Sequence, residues 1–314
     1  MARTLYGFLI ALAWLPIAAS AAPKYSDWQP ATHLGCLVNS TGNDQGPAIS
    51  KDGLSLYFSS DRPGGVGGQD IWVARRASPD APWDPPTNLG SPVNTTVTDG
   101  IPSLSRDAHW LFFNSNRQPG GFGDIDLWVS YRHHVHDDFA WEEPVNLGPG
   151  VNTTKFDAGA GYFENENGVA LLFFNRGESQ ANQTSTDIYV ATFEDGQAGE
   201  AVLVPSLNSP RLDSRPSVRF DGLEVVFFSN RLGSTPDALG NLTLDLWSST
   251  RNSLDEDWST PVRLGENVNT SAAEANPYLS ADGTTLIFAS NRPGGCGLLD
   301  LYVTTRVKLK GNAD

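Results

Sequence analysis

A phrase of about 55 to 60 residues recurs five times along this chain. A repeat of that period means stacked or radially arranged units, none of which buries a core alone. The clearest copy reads Asp52-Gly53, an apolar run ending Tyr57-Phe58, Asp61-Arg62, a glycine-rich loop, then Asp70-Ile71-Trp72-Val73. It returns at Asp107 to Val129, Asn167 to Val190, Asp221 to Trp247 and Asp282 to Val303.

Each copy predicts four strands. The first is short and follows an acidic residue: Pro47 to Ser50, Pro102 to Ser105, Gly159 to Phe163, Pro216 to Arg219, Pro277 to Ser280. Asp-Gly at 52, 221 and 282, and Asn167-Gly168, offer the positive-φ positions of a two-residue hairpin turn, with Asp107-Ala108 the exception. The second strand is aromatic and β-branched, as in Val225-Val226-Phe227-Phe228. The third begins at Asp70, Asp126, Asp187, Asp245 and Asp300; the fourth carries Asn88-Leu89-Gly90, Asn146-Leu147-Gly148 and Arg263-Leu264-Gly265. Four antiparallel strands per unit without helical periodicity predict an all-β fold, a five-bladed β-propeller.

The chain ends after the third strand of copy five and begins with an orphan fourth strand, Trp28 to Val38, containing His33-Leu34-Gly35. That strand is expected to complete the last blade and close the ring, which removes exposed edges. Cys36 and Cys296 then fall on one face of one blade, and a disulfide between them is expected.

Ahead of the repeats, Arg3, the apolar run Leu5 to Ile17 and Ala19-Ser20-Ala21 have the form of a signal peptide over 1–21. Residues 22–314 then make one propeller domain, exported to a secreted or periplasmic location. A net charge of −15 argues against nucleic acid, and no later apolar run approaches the roughly 20 residues of a spanning helix. A monomer without membrane insertion is expected.

The joined pattern of acidic residue, strand, Asp-Gly turn, aromatic strand and Asn-Arg pair resembles the TolB-type, WD-like propeller repeat. The likeness covers essentially the whole mature chain. It implies the fold, whereas the activities found on that repeat range from periplasmic scaffolds to polysaccharide lyases.

One spacing suggests a site. An Asn precedes an acid by five residues in every copy: Asn39 and Asp44, Asn94 and Asp99, Asn152 and Asp157, Asn208 and Asp213, Asn269 and Glu274. These ten residues are the expected ligand-binding set, with the acids ringing the channel on the face of the blade-to-blade connections. Five carboxylates around an axis suit a hard cation, so calcium at the channel mouth is the one metal considered; otherwise no cofactor is expected. A structural role competes, because Arg62, Arg117, Arg231 and Arg292 follow their acids by 18 residues and Arg176 follows Asp157 by 19. Acid and Arg in each blade are expected within ion-pair distance.

Copy three departs most, with a lengthened first strand carrying Tyr162, Phe163 and Glu164, and copy four has an unusual loop at Leu232 to Thr243. His133, His134, His136, Asp137 and Asp138 form the densest set of metal-ligating types, read as a solvated loop. No His-Glu-x-x-His, Gly-x-Ser-x-Gly or P-loop motif occurs, and no catalytic residue is assigned. The leading expectation is therefore an exported binding or scaffold module for a glycan, peptide or envelope protein. The alternative is a carbohydrate-active hydrolase or lyase at an acidic channel mouth, since two carboxylates suffice for glycoside hydrolysis.

Overall fold

The structure, a computed structural model, describes residues 24–165 and 167–309. The signal-peptide segment expected over 1–21 lies outside the described residues. Five antiparallel sheets are arranged as blades in a ring. Blade 1 comprises Asp44–Ile49, Ser55–Ser60, Asp70–Arg75 and Thr87–Asn88, from the inside outward. Blade 2 comprises Asp99–Leu104, Trp110–Ser115, Asp126–Tyr131 and Val145–Asn146. Blade 3 is larger, with Phe156–Glu164, Ala170–Ser179 and Asn182–Glu194, the last pairing with both Gln197–Ala198 and Val202–Leu203. Blade 4 comprises Asp213–Val218, Glu224–Ser229, Asp245–Thr250 and Val262–Arg263. Blade 5 comprises Glu274–Leu279, Thr285–Ser290 and Asp300–Thr305, completed by Thr32–His33.

Ring closure follows the expected route. Thr32 pairs with Val303 and His33 with Tyr302, and Cys36 is disulfide-bonded to Cys296 across 260 residues. Among the described residues no helix is long and apolar enough to cross a membrane.

The cores lie between blades, as units too small to bury their own faces require. Val226, Phe228 and Leu246 of blade 4 pack against Leu286, Phe288 and Tyr302 of blade 5. Phe112, Leu127 and Val129 of blade 2 pack against Leu172, Phe174 and Phe193 of blade 3. Each fully buried Phe or Leu contributes about 1.5–3 kcal/mol, so cohesion between neighbours holds the ring together.

The Asp-Gly hairpins are wider than the two-residue turns expected. Ser50 pairs with Ser55, leaving residues 51–54 between them, and Asp52 Oδ1 accepts from Ser50 Oγ at 2.6 Å and Leu54 N at 3.0 Å. The Asp is there to cap the turn with its side chain, which is why a longer loop replaces the tightest hairpin. Asp107, Asp221 and Asp282 cap in the same way, and Ala108 takes the positive φ (62°) that glycine takes elsewhere.

A bulge interrupts every inner strand. Pairing with the second strand skips from Gln45 to Ala48, Gly100 to Ser103, Ala158 to Gly161, Ser214 to Ser217 and Ala275 to Tyr278. Within each gap one residue is left-handed: Gly46, Ile101, Gly159, Arg215 and Asn276, with φ between 51° and 69°. Bulges re-aim side chains. Here four of the five positions, Ile101, Gly159, Arg215 and Asn276, line the central channel, and two of them, Ile101 and Arg215, carry side chains that rarely adopt this backbone.

Candidate functional site

The five repeated acids form buried brackets rather than an open ring. Arg62 lies 2.5 Å from Asp44, Arg117 2.6 Å from Asp99, Arg176 2.5 Å from Asp157 and Arg292 3.0 Å from Glu274, and Arg231 pairs with Asp213. All five carboxylates are fully buried. Their remaining capacity is filled by the loop that follows the repeated Asn. Thr95 donates to Asp99 through N (2.6 Å) and Oγ1 (2.7 Å), Ser40, Thr153 and Thr270 do the same to their acids, and Ser209 donates to Asp213 through N. The Arg side chains also reach the carbonyls of Val38, Val93, Val151, Leu207 and Val268. They lie over aromatic rings of the second and third strands, as Arg117 does over Phe113 and Trp128.

The repeated Asn residues are equally occupied. Asn94 takes the N–H of Ile71 on Oδ1 and gives Nδ2 to its carbonyl, both at 2.9 Å. Asn39, Asn152, Asn208 and Asn269 grip Leu301, Leu127, Ile188 and Leu246 identically. Each Asn thus extends a third-strand ladder where the outer strand has ended. None of the ten residues lines the channel cavity at that mouth. Burial forces a carboxylate to be paired, and the sequence supplied an Arg for each, so the acids turn away from the axis.

Among the described residues, one group has metal-ligand spacing: His33, Cys296 and Asp300. Its sulfur is already in the disulfide, and Asp300 Oδ2 accepts from Cys296 N at 2.7 Å. The histidine loop does not converge either. His133 faces Glu142 at 3.2 Å in the open, while Asp138 points inward. Asp138 joins two blades: it accepts from Ser55 (2.8 Å), Tyr57, Arg75 (2.7 Å) and the fully buried Arg132 (3.1 Å). Burial opposes its charge, but these four donors outweigh it and hold the carboxyl below the ordinary range.

Two cavities share the propeller axis. The one at the starts of the inner strands has a volume of about 570 Å³, is lined by amides including Gln45, Gln69, Asn114, Asn175 and Asn276, and contains no carboxylate. The mouth is therefore not acidic, contrary to expectation. The other, about 320 Å³, lies at the inner-strand ends and is walled by Tyr162, Phe163, Phe220 and Tyr278, with Glu164 and Asp282 among its lining. Tyr162 Oη donates to Glu164 at 2.9 Å, and burial followed by that carboxylate pushes the phenol well above its ordinary range. Asp282 is partly buried, which opposes its charge, yet Ser280 and Thr284 donate to it and keep the carboxyl below the usual range.

Arg215 separates the two cavities and lines both. From its bulge in blade 4 it donates to Ala160 O at 2.7 Å, Pro102 O at 2.6 Å and Ile101 O at 3.4 Å, crossing to blades 3 and 2. No carboxylate pairs with it among the described residues, and burial pushes its pKa down to about 9.

No family model matches the sequence, and no curated protein matches it. Solved structures do share the fold. An α-L-arabinofuranosidase from Podospora anserina superposes with a TM-score of 0.61 at 10% identity, over 92% of this chain and 99% of that one. The Bacillus subtilis arabinanase gives 0.58 at 12%, covering 87% and 96%. The glycoside hydrolase family 43 endo-arabinanase of Bacillus licheniformis gives 0.57 at 10%, covering 88% and 97%. TolB from Acinetobacter baumannii reaches 0.48 and carries no weight.

The chain is a five-bladed β-propeller. At these identities the likeness extends to the fold. The expectation of a binding or scaffold module is nevertheless corrected, because the similar folds are mostly glycoside hydrolases and side with the hydrolase alternative.

Proposed function

We propose that the chain is a carbohydrate-active hydrolase, with its substrate in the aromatic cavity at the inner-strand ends. The observation that carries this is Glu164. It is an acid outside the repeated set, on the one inner strand that is lengthened to nine residues, and it lines a cavity with a second carboxylate, Asp282. Glycoside hydrolysis uses two carboxylates in different protonation states. Asp282, held low by its donors, suits the charged role. Glu164, the other carboxylate of the cavity, is left for the proton-donor role, and Tyr162 Oη holds it in place at 2.9 Å. The aromatic walls offer apolar faces against which sugar rings pack.

The fold shared with arabinanases and arabinofuranosidases supports a glycan substrate. The sequence pattern supports kinship of the blades with the TolB-type repeat, and the disulfide supports an exported setting.

The test is reducing-sugar release from arabinan, xylan and galactan. The purified chain should release product, and Glu164→Gln should lose it at an unchanged melting temperature. Full activity in Glu164→Gln would overturn the assignment.

A further inference from the structure

The amide-lined cavity at the other mouth has no place in that reaction, yet it is built around features that call for a ligand. Arg215 is the first. A guanidinium has five N–H donors, and this one gives three hydrogen bonds, all to carbonyls. Its charge is buried without a counter-ion among the described residues, a situation that is costly unless something compensates it. Its backbone is left-handed, φ 52°, at a residue with a long side chain. Such strain persists where the surrounding structure imposes it, and it clusters at ligand clamps.

Asn175 is the second, independent feature. It is buried in the second strand of blade 3, and its Oδ1 accepts from Arg215 N at 3.3 Å. That bond fixes the amide's orientation, and Nδ2 is left with no partner. A buried donor without an acceptor costs about 1–3 kcal/mol. Both residues line the same cavity, whose about 570 Å³ falls in the range of small-molecule sites.

We propose that this cavity binds the carboxylate of a sugar acid, with Arg215 and Asn175 as its recognition pair. The carboxylate answers the free N–H groups of Arg215 and the orphan Nδ2 of Asn175. The surrounding amides of Gln45, Gln69, Asn114 and Asn276 each carry donor and acceptor, which suits hydroxyl groups better than it suits a bare anion. The proposal stands whether or not the hydrolase reading does.

Calorimetric titration decides it, using galacturonate and digalacturonate against galactose, sodium acetate and sodium chloride. The sugar acids should bind at least about tenfold more tightly than galactose, as a charged hydrogen-bonded contact implies. Tighter binding of digalacturonate identifies a glycan end as the source, and tighter binding of the monosaccharide identifies a free sugar acid; either supports the site. Arg215→Met should abolish the difference. Asn175→Asp keeps the acceptor for Arg215 N, removes the orphan donor and neutralises the guanidinium, so it guards against misfolding of the first variant. It should lose sugar-acid binding at a melting temperature within a few degrees of the parent. Equal affinity for galactose and galacturonate, competition by acetate or chloride at equal strength, or undiminished binding in Asn175→Asp would each overturn the proposal.

Discussion

Asp157 and Arg176 stand directly opposite one another on the inner and second strands of blade 3, and Arg176 meets the carboxylate through Nε at 2.5 Å. Elsewhere the acid faces a serine, as Asp99 faces Ser115, and the Arg two residues beyond reaches back with Nη2. The lengthened strand of blade 3 runs on without that turn, so the same bracket is made from a different register. An ion pair that survives a change of register is a structural requirement of every blade.

Removing one partner therefore leaves a buried charge. Arg231→Leu strands Asp213, which is fully buried, and should destabilise the protein by about 3–5 kcal/mol. Chemical denaturation checks this. The double variant Arg231→Leu with Asp213→Asn should recover part of the loss, since it no longer buries a bare carboxylate. A single variant as stable as the parent would contradict the bracket.

The disulfide sits where the ring is closed by a two-residue strand, Thr32–His33. Cross-linking residues 260 apart removes loop entropy from the unfolded chain on the order of 5 kcal/mol in the chain-entropy account. Cys36→Ser with Cys296→Ser should lower the melting temperature by several degrees. The unreduced, denatured parent should show no reactive thiol. Two thiols per chain in that assay would remove the covalent closure.

Asp138 sets an acid limit. Its carboxyl is held below the ordinary range, so between its folded value and the unfolded value near about 4 the unfolded chain binds more protons. The stability it contributes is present above that unfolded value and is lost as the pH falls through the folded one. Urea midpoints measured from pH 6 down to pH 2 should fall less steeply for Asp138→Asn than for the parent. Parallel curves would mean that another carboxylate governs acid unfolding.

The repeat made the fold legible: strand order, ring closure and the Cys36–Cys296 bond follow from where each copy starts and stops. Acid–Arg pairing was legible too, because an Arg falls 18 or 19 residues after each acid. The cavities were not. Their linings come from bulge positions such as Ile101, Arg215 and Asn276, which vary between copies and break local backbone preference. Only Glu164 gave a signal, through the added length of its strand. Asp138 was hidden in a histidine-rich loop because its partners, Ser55 and Tyr57, belong to another blade.

Gly159 tests whether the bulge geometry serves the channel. Its φ is 69°, and a Cβ there would come within 2.3 Å of Asn175 Oδ1 and 3.4 Å of the Arg215 Cα. Gly90 has a similar φ of 66° with nothing within 4 Å of its Cβ position. Gly90→Ala carries only the left-handed backbone cost, about 1–2 kcal/mol. Gly159→Ala adds a clash with the buried amide of Asn175, so its melting temperature should fall clearly further. Equal losses in the two variants would show that Asn175 moves aside freely, and that the close approach of Gly159, Asn175 and Arg215 is not a constrained arrangement.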